Sequence, residues 1–134
     1  MRAADTTPLV ESVEQKIALN RDAEGAHWWF STMTETVTQR VGRDFGRSRY
    51  GQLTLGSLLD LGDETSLMFL PRLDTNPFGA STSFYETYLN IRVDRLVGTV
   101  RTVAVFGDPK VERQIQALGG LLARRMSDAL RAAA

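Results

Sequence analysis

The chain has 134 residues, enough for one domain to bury a core without metal ions or disulfides. Acidic and basic residues balance at 16 each, with 43% apolar and 24% charged residues, a globular composition that lacks the basic excess of a general nucleic-acid binder or membrane-surface protein. Cysteine is absent, which excludes disulfide frameworks, thiolate zinc sites and cysteine nucleophiles.

No apolar run approaches the roughly 20 residues that span a bilayer. The start, Met1 to Thr7, lacks the apolar stretch of a secretory signal, so a cytoplasmic location is the default expectation. Residues 1–7 read as a flexible tail and residues 8–134 as a single domain.

Thr7-Pro8 pairs a capping residue with a proline at the first helical position, and Leu9, Val13 and Ile17 follow at helical spacing, predicting a first helix that fades near Asn20 to Asp22. A second helix is expected from about Asp22 to about Arg43 on the stripe Ala26, Trp29 or Phe30, Met33, Val37 and Val41. Whether the two are separate or one bent helix stays open, because Gly25 weakens the junction. Gly46, Ser48 and Gly51 then punctuate a basic loop.

From Gln52 the apolar period moves towards two. Leu53 to Leu61 and Ser66 to Leu73 flank Gly62-Asp63-Glu64 and predict a β-hairpin, although residues 54–61 also fit a short helix. Residues 74–83, with Pro77 and Gly79, read as a ten-residue loop. Phe84 to Val93 alternates, with Leu89, Ile91 and Val93 on one face and Tyr88, Asn90 and Arg92 on the other, as in a strand with one wet face. The chain turns near Arg95 to Gly98, and Thr99 to Phe106 reads as a β-branched strand.

Asp108-Pro109 opens the final segment with a cap and a proline. Val111, Ile115, Leu118, Leu122 and Met126 form one helical stripe, with Gly119 on that face and Gly120 beside it. Each interior glycine costs a helix about 1 kcal/mol relative to alanine, so another backbone is expected to pack closely there. The order predicts an α+β fold: two N-terminal helices, an antiparallel sheet of about four strands and a long C-terminal helix packed on the sheet.

The chemistry-bearing residues form no catalytic set. His27 is the only histidine, which excludes a histidine metal cluster, and neither a phosphate-binding P-loop nor a G-x-S-x-G elbow occurs. Asp60, Asp63, Glu64 and Asp74 crowd the proposed hairpin but lack the spacing of a calcium loop. No metal, cofactor or catalytic residue is assigned, and the balance tilts away from an enzyme.

Three candidate surfaces remain. His27, Trp28, Trp29 and Phe30 are successive helical residues pointing in different directions, so some must face a ligand or an interface. Arg40, Arg43, Arg47 and Arg49 form a candidate anion site, or else complement a helix C-terminus. Leu118, Gly119, Gly120 and Leu122 mark a helix-packing interface. The preferred reading is a non-catalytic protein-interaction or assembly domain that associates with itself or another protein, as a homo-oligomeric structural or adaptor component. The alternative is a small-ligand-binding or sensory domain with a pocket near Trp28 and Trp29. Anion or nucleic-acid binding through Arg40 to Arg49 ranks third, and no membrane partner is expected.

Overall fold

The computed structural model describes residues 10–56, 60–105 and 109–133. The elements are β1 (Val10–Leu19), α1 (Ala23–Thr38), β2 (Asp44–Phe45), β3 (Ser48–Tyr50), β4 (Thr54–Leu55), β5 (Glu64–Thr75), β6 (Ser81–Val93), β7 (Leu96–Val105) and α2 (Pro109–Ala133). They build an α+β fold around one antiparallel 7-stranded sheet of order β1-β7-β6-β5-β3-β2, with β4 paired to β5. The tail at residues 1–7, the Thr7-Pro8 device, Leu58-Leu59 and the Asp108 cap lie outside the described residues.

The expectation of two N-terminal helices and about four strands is corrected. Residues 10–19 are a strand, paired with β7 from Val13↔Thr102 to Leu19↔Leu96. A spacing of four residues, as between Val13 and Ile17, fits a helix face and equally one face of a strand. Pairing along the edge of β7 decides between them, an influence that no local pattern carries.

α1 begins close to its expected start near Asp22. Asp22 is extended and its carboxylate accepts the Gly25 N–H at 2.8 Å. The helix buries Ala26, Phe30 and Val37 but ends at Thr38 rather than near Arg43. Thr34, Thr36 and Thr38 donate back to the carbonyls of Phe30, Thr32 and Glu35, a competition that weakens helices. Gly42, at φ 69°, then turns the chain towards β2.

The hairpin expected around Gly62 contracts on its first side, where β4 is only Thr54–Leu55. The expected ten-residue loop at residues 74–83 also contracts, because β5–β6 pairing continues to Thr75↔Ser81. Only residues 76–80 connect the strands, with the Asn76 side chain accepting the Phe78 and Ala80 N–H groups. Ser81, Thr82 and Ser83 are exposed on both faces, so this end of the hairpin never needed apolar alternation. Asp94, at φ 51°, makes the β6–β7 turn.

The sheet is covered on both faces. α2 lies on one, where Leu67, Leu89, Ile91, Leu96, Val100 and Ala104 meet Val111, Ile115, Leu122 and Met126. α1 lies on the other, over Val97 with Ala26 and Phe30, and over Met68, Leu70 and Tyr88 with Val37. The face of β6 expected to be wet is therefore covered in its middle, and Tyr88 and Asn90 are buried.

Glycine sets how closely α2 approaches the sheet. A Cβ on Gly119 would stand 2.4 Å from Leu89 Cδ2, and one on Gly98 would stand 2.6 Å from Met126 Sδ. Gly120 has nothing within 4 Å. Gly119→Leu is expected to cost about 3 kcal/mol by overpacking, whereas Gly120→Ala gains about 1 kcal/mol of helix propensity. Chemical denaturation of the two variants measures both.

Candidate functional site

The α1 face of the sheet carries more chemistry than the α2 face. Because α1 ends at Thr38, the stretch of sheet beyond it is roofed by polar side chains. Alternation places Tyr50 from β3, Arg72 from β5, Glu86 and Tyr88 from β6 and Arg101 from β7 on this face. Glu86 is 0% exposed, so its carboxylate must be paired to remain charged.

It is paired from three sides. Arg101 Nη2 and the Tyr88 hydroxyl, at 2.8 Å for the latter, donate to Glu86 Oε1. Arg72 Nη1 stands 3.5 Å from Glu86 Oε2, while its Nε pairs with Asp74 at 2.9 Å. Arg40, just beyond α1, donates to the Tyr88 hydroxyl at 2.6 Å. The guanidinium carbons of Arg40 and Arg101 lie 5.8 and 5.6 Å from the centroid of the Tyr88 ring.

Burial pushes the Glu86 carboxyl up, but hydrogen bonds from Arg101, Tyr50 and Tyr88 outweigh it and hold the group below the usual carboxylate range. Burial, reinforced by the Glu86 charge, pushes the Tyr88 hydroxyl well above its ordinary value. Glu86 is therefore a neutralised structural anion rather than a free base.

Beside this cluster, a groove of about 350 Å³ opens between α1 and the β1–β7 end of the sheet. Trp29, Met33 and Val37 form its helix wall, Asn90, Thr99 and Arg101 its floor, and Arg40 and Tyr88 one end. Glu14 and Lys16 of β1, an exposed ion pair at 2.8 Å, form the outer rim.

The sequence candidates scatter. Trp29 lines the groove, while Trp28, 64% exposed, stacks on it with centroids 6.0 Å apart. His27 is exposed, with Nδ1 2.7 Å from Glu64, which Arg92 also holds. Phe30 is core, packed with Ala26 and Val97. Arg40 joins the groove, whereas Arg47 and Arg49 line a separate cleft in which Arg49 pairs with Asp44 at 2.9 Å. Arg43 is exposed, and its carbonyl accepts the Tyr50 N–H. Leu122 is buried and Leu118 partly buried against the sheet of the same chain, Gly119 faces Leu89, and Gly120 is open. Glu86, Tyr88, Arg72 and Arg101 were not singled out from sequence. The available signal was a charge or hydroxyl at every second position of strands otherwise rich in apolar residues.

The second unusual surface is β1 itself. It is a ten-residue strand at one end of the sheet, with Val13 54%, Ile17 49% and Leu19 67% exposed on the face that its pairing shares with Gly98 and Thr102. Among the described residues, no helix is long and apolar enough to cross a membrane and no cluster of His, Asp or Glu could hold a metal ion. Comparison with family models, curated proteins and solved structures finds no match to this chain.

Glu86→Gln leaves Arg101 and Arg72 facing an uncharged group and is expected to cost about 3–5 kcal/mol. Since folding depresses the pKa of Glu86, its stabilisation is complete above the ordinary carboxylate value, about 4.3. It is lost as pH falls through the lower folded value. Unfolding free energies of wild type and Glu86→Gln, measured from neutral pH down into that acid range, are therefore expected to converge as pH falls.

Proposed function

We propose that the chain is a non-catalytic assembly domain that joins a second copy of itself along the β1 edge. The observation that carries this reading is a long edge strand with an exposed apolar row. An edge strand presents unpaired N–H and C=O groups to any suitable strand, and stable proteins usually blunt such an edge with proline, irregularity or short length. Residues 12–19 contain no proline and stay in register with β7, and the one irregularity lies at the Val10/Ser12 end.

The sequence of β1 also complements itself. A two-fold antiparallel pairing centred on Gln15 sets Val13 opposite the partner's Ile17 and Glu14 opposite the partner's Lys16. Val13 and Ile17 then meet apolar partners, and Glu14 and Lys16 meet opposite charges. Cross-strand pairs of these kinds are worth about 0.2–1 kcal/mol each, and the arrangement supplies two of each. At the other end of the sheet β2 has only two residues, too few to template a long strand. Pairing through β1 therefore closes as a dimer instead of propagating as a fibre.

Light scattering over a concentration series tests the reading, with a dimer expected at about twice the 14.9 kDa chain mass. Ile17→Lys is expected to give monomers. Glu14→Lys, which opposes lysine to lysine, is expected to weaken the dimer, and adding Lys16→Glu to it should restore association. A wild-type mass of one chain at every concentration removes the proposal.

A further inference from the structure

We infer that the groove between α1 and the β1–β7 end of the sheet binds a small organic anion, a carboxylate carried on an apolar or aromatic body, gripped by Arg40 with Arg101. The inference does not require assembly through β1, because the gripping residues lie just beyond α1 and on β7.

The charge pattern points to an anion. Two guanidiniums, Arg72 and Arg101, pair with one buried carboxylate, Glu86, and a third, Arg40, joins the cluster through the Tyr88 hydroxyl. Arg101 is neutralised by Glu86, Arg72 by Asp74 at 2.9 Å, and Lys16 at the rim by Glu14 at 2.8 Å. Among the described residues no carboxylate pairs with Arg40, whose polar contact is the Tyr88 hydroxyl. That leaves one positive charge in excess at the end of a groove, where two guanidiniums already lie within 6 Å of one ring centroid.

Arg40 is not occupied in closing the helix either. The carbonyls of Glu35, Val37 and Thr38 are met by the N–H groups of Gln39, Arg40 and Val41. The Arg40 side chain passes these carbonyls by and reaches the sheet instead. Guanidinium forks favour carboxylates and phosphates by paired hydrogen bonds. A single excess charge suits a monoanion better than a phosphate dianion, and the walls choose the rest of the molecule. Trp29 and Met33 offer a flat ring and a polarisable thioether to an apolar body, and Asn90 and Thr99 supply polar contacts at the floor.

Trp28 and Trp29 are the only tryptophans, so their fluorescence reports on the groove. Phenylacetate is the probe, phenylacetamide its neutral counterpart, and inorganic phosphate the control for simple anion attraction. Phenylacetate should produce a saturable change, with phenylacetamide and phosphate at least about tenfold weaker, as loss of a charge-assisted pair implies. Arg40→Gln should show the same loss.

Because Arg40 also braces Tyr88, a second variant keeps the test clear of folding. Thr36 lines the groove one helical turn before Arg40 and is exposed. Thr36→Glu brings a carboxylate to Arg40 from within the chain, and should abolish phenylacetate binding while the melting temperature holds or rises. Equal responses to phenylacetate and phenylacetamide, no saturable response, or unchanged binding in a folded Thr36→Glu protein would each overturn the inference.

Discussion

A charged side chain sealed into the central strand sets the terms for the rest of this molecule. Dehydrating the Glu86 carboxylate costs on the order of several kcal/mol, which only close cationic and hydroxyl partners offset. Those partners come from both neighbouring strands: Arg72 on β5 and Arg101 on β7, with Tyr88 from β6 itself and Tyr50 from β3. Shifting β5 or β7 by one residue would send its arginine to the opposite face, into the apolar layer beneath α2. The ion cluster thus fixes the register of four strands more sharply than apolar alternation can, since β-branched and leucine side chains tolerate exchange.

The two faces of the sheet solve different problems. Under α2 the contact is apolar and close, made so by Gly98 and Gly119, which let helix and strands approach to the limit of the side chains between them. Under α1 the helix is shorter and its threonine-rich end gives way at Thr38, so arginine and tyrosine side chains finish the cover. A helix continuing to Arg43 would have laid more turns over this face. The early end of α1 is what leaves a groove with a cationic end.

Legibility in the sequence followed how local each signal was. The α2 stripe and the start of α1 near Asp22 were readable because both depend on residues within a turn or two of one another. β1 was misread because Val13 and Ile17 satisfy helix and strand alike, and the partner that decides, β7, lies some 80 residues on, as in Ile17↔Gly98. Tyr88, Asn90 and Arg92 looked solvated because polar residues on alternate positions usually are. Nothing local says that a helix and two arginines will close over them. Arg40 and Trp29 were each picked out, but as members of different clusters, since the fold and not the chain order brings them to one groove.

Both proposed surfaces share β1, and that has a thermodynamic consequence. Glu14 and Lys16 form the outer rim of the groove, and they are also the charges that a two-fold pairing would place opposite one another between chains. Their present ion pair is intrachain and exposed, hence weakly held. Exchanging it for interchain pairs would move the lysine nearest the groove relative to Arg40 and Arg101, and so alter the potential felt by an anion inside. Any such dependence is reciprocal: an anion that prefers one arrangement of Lys16 shifts the assembly equilibrium by the same free energy. In this reading the edge strand is the shared wall through which occupancy of the groove and pairing of the chains sense each other.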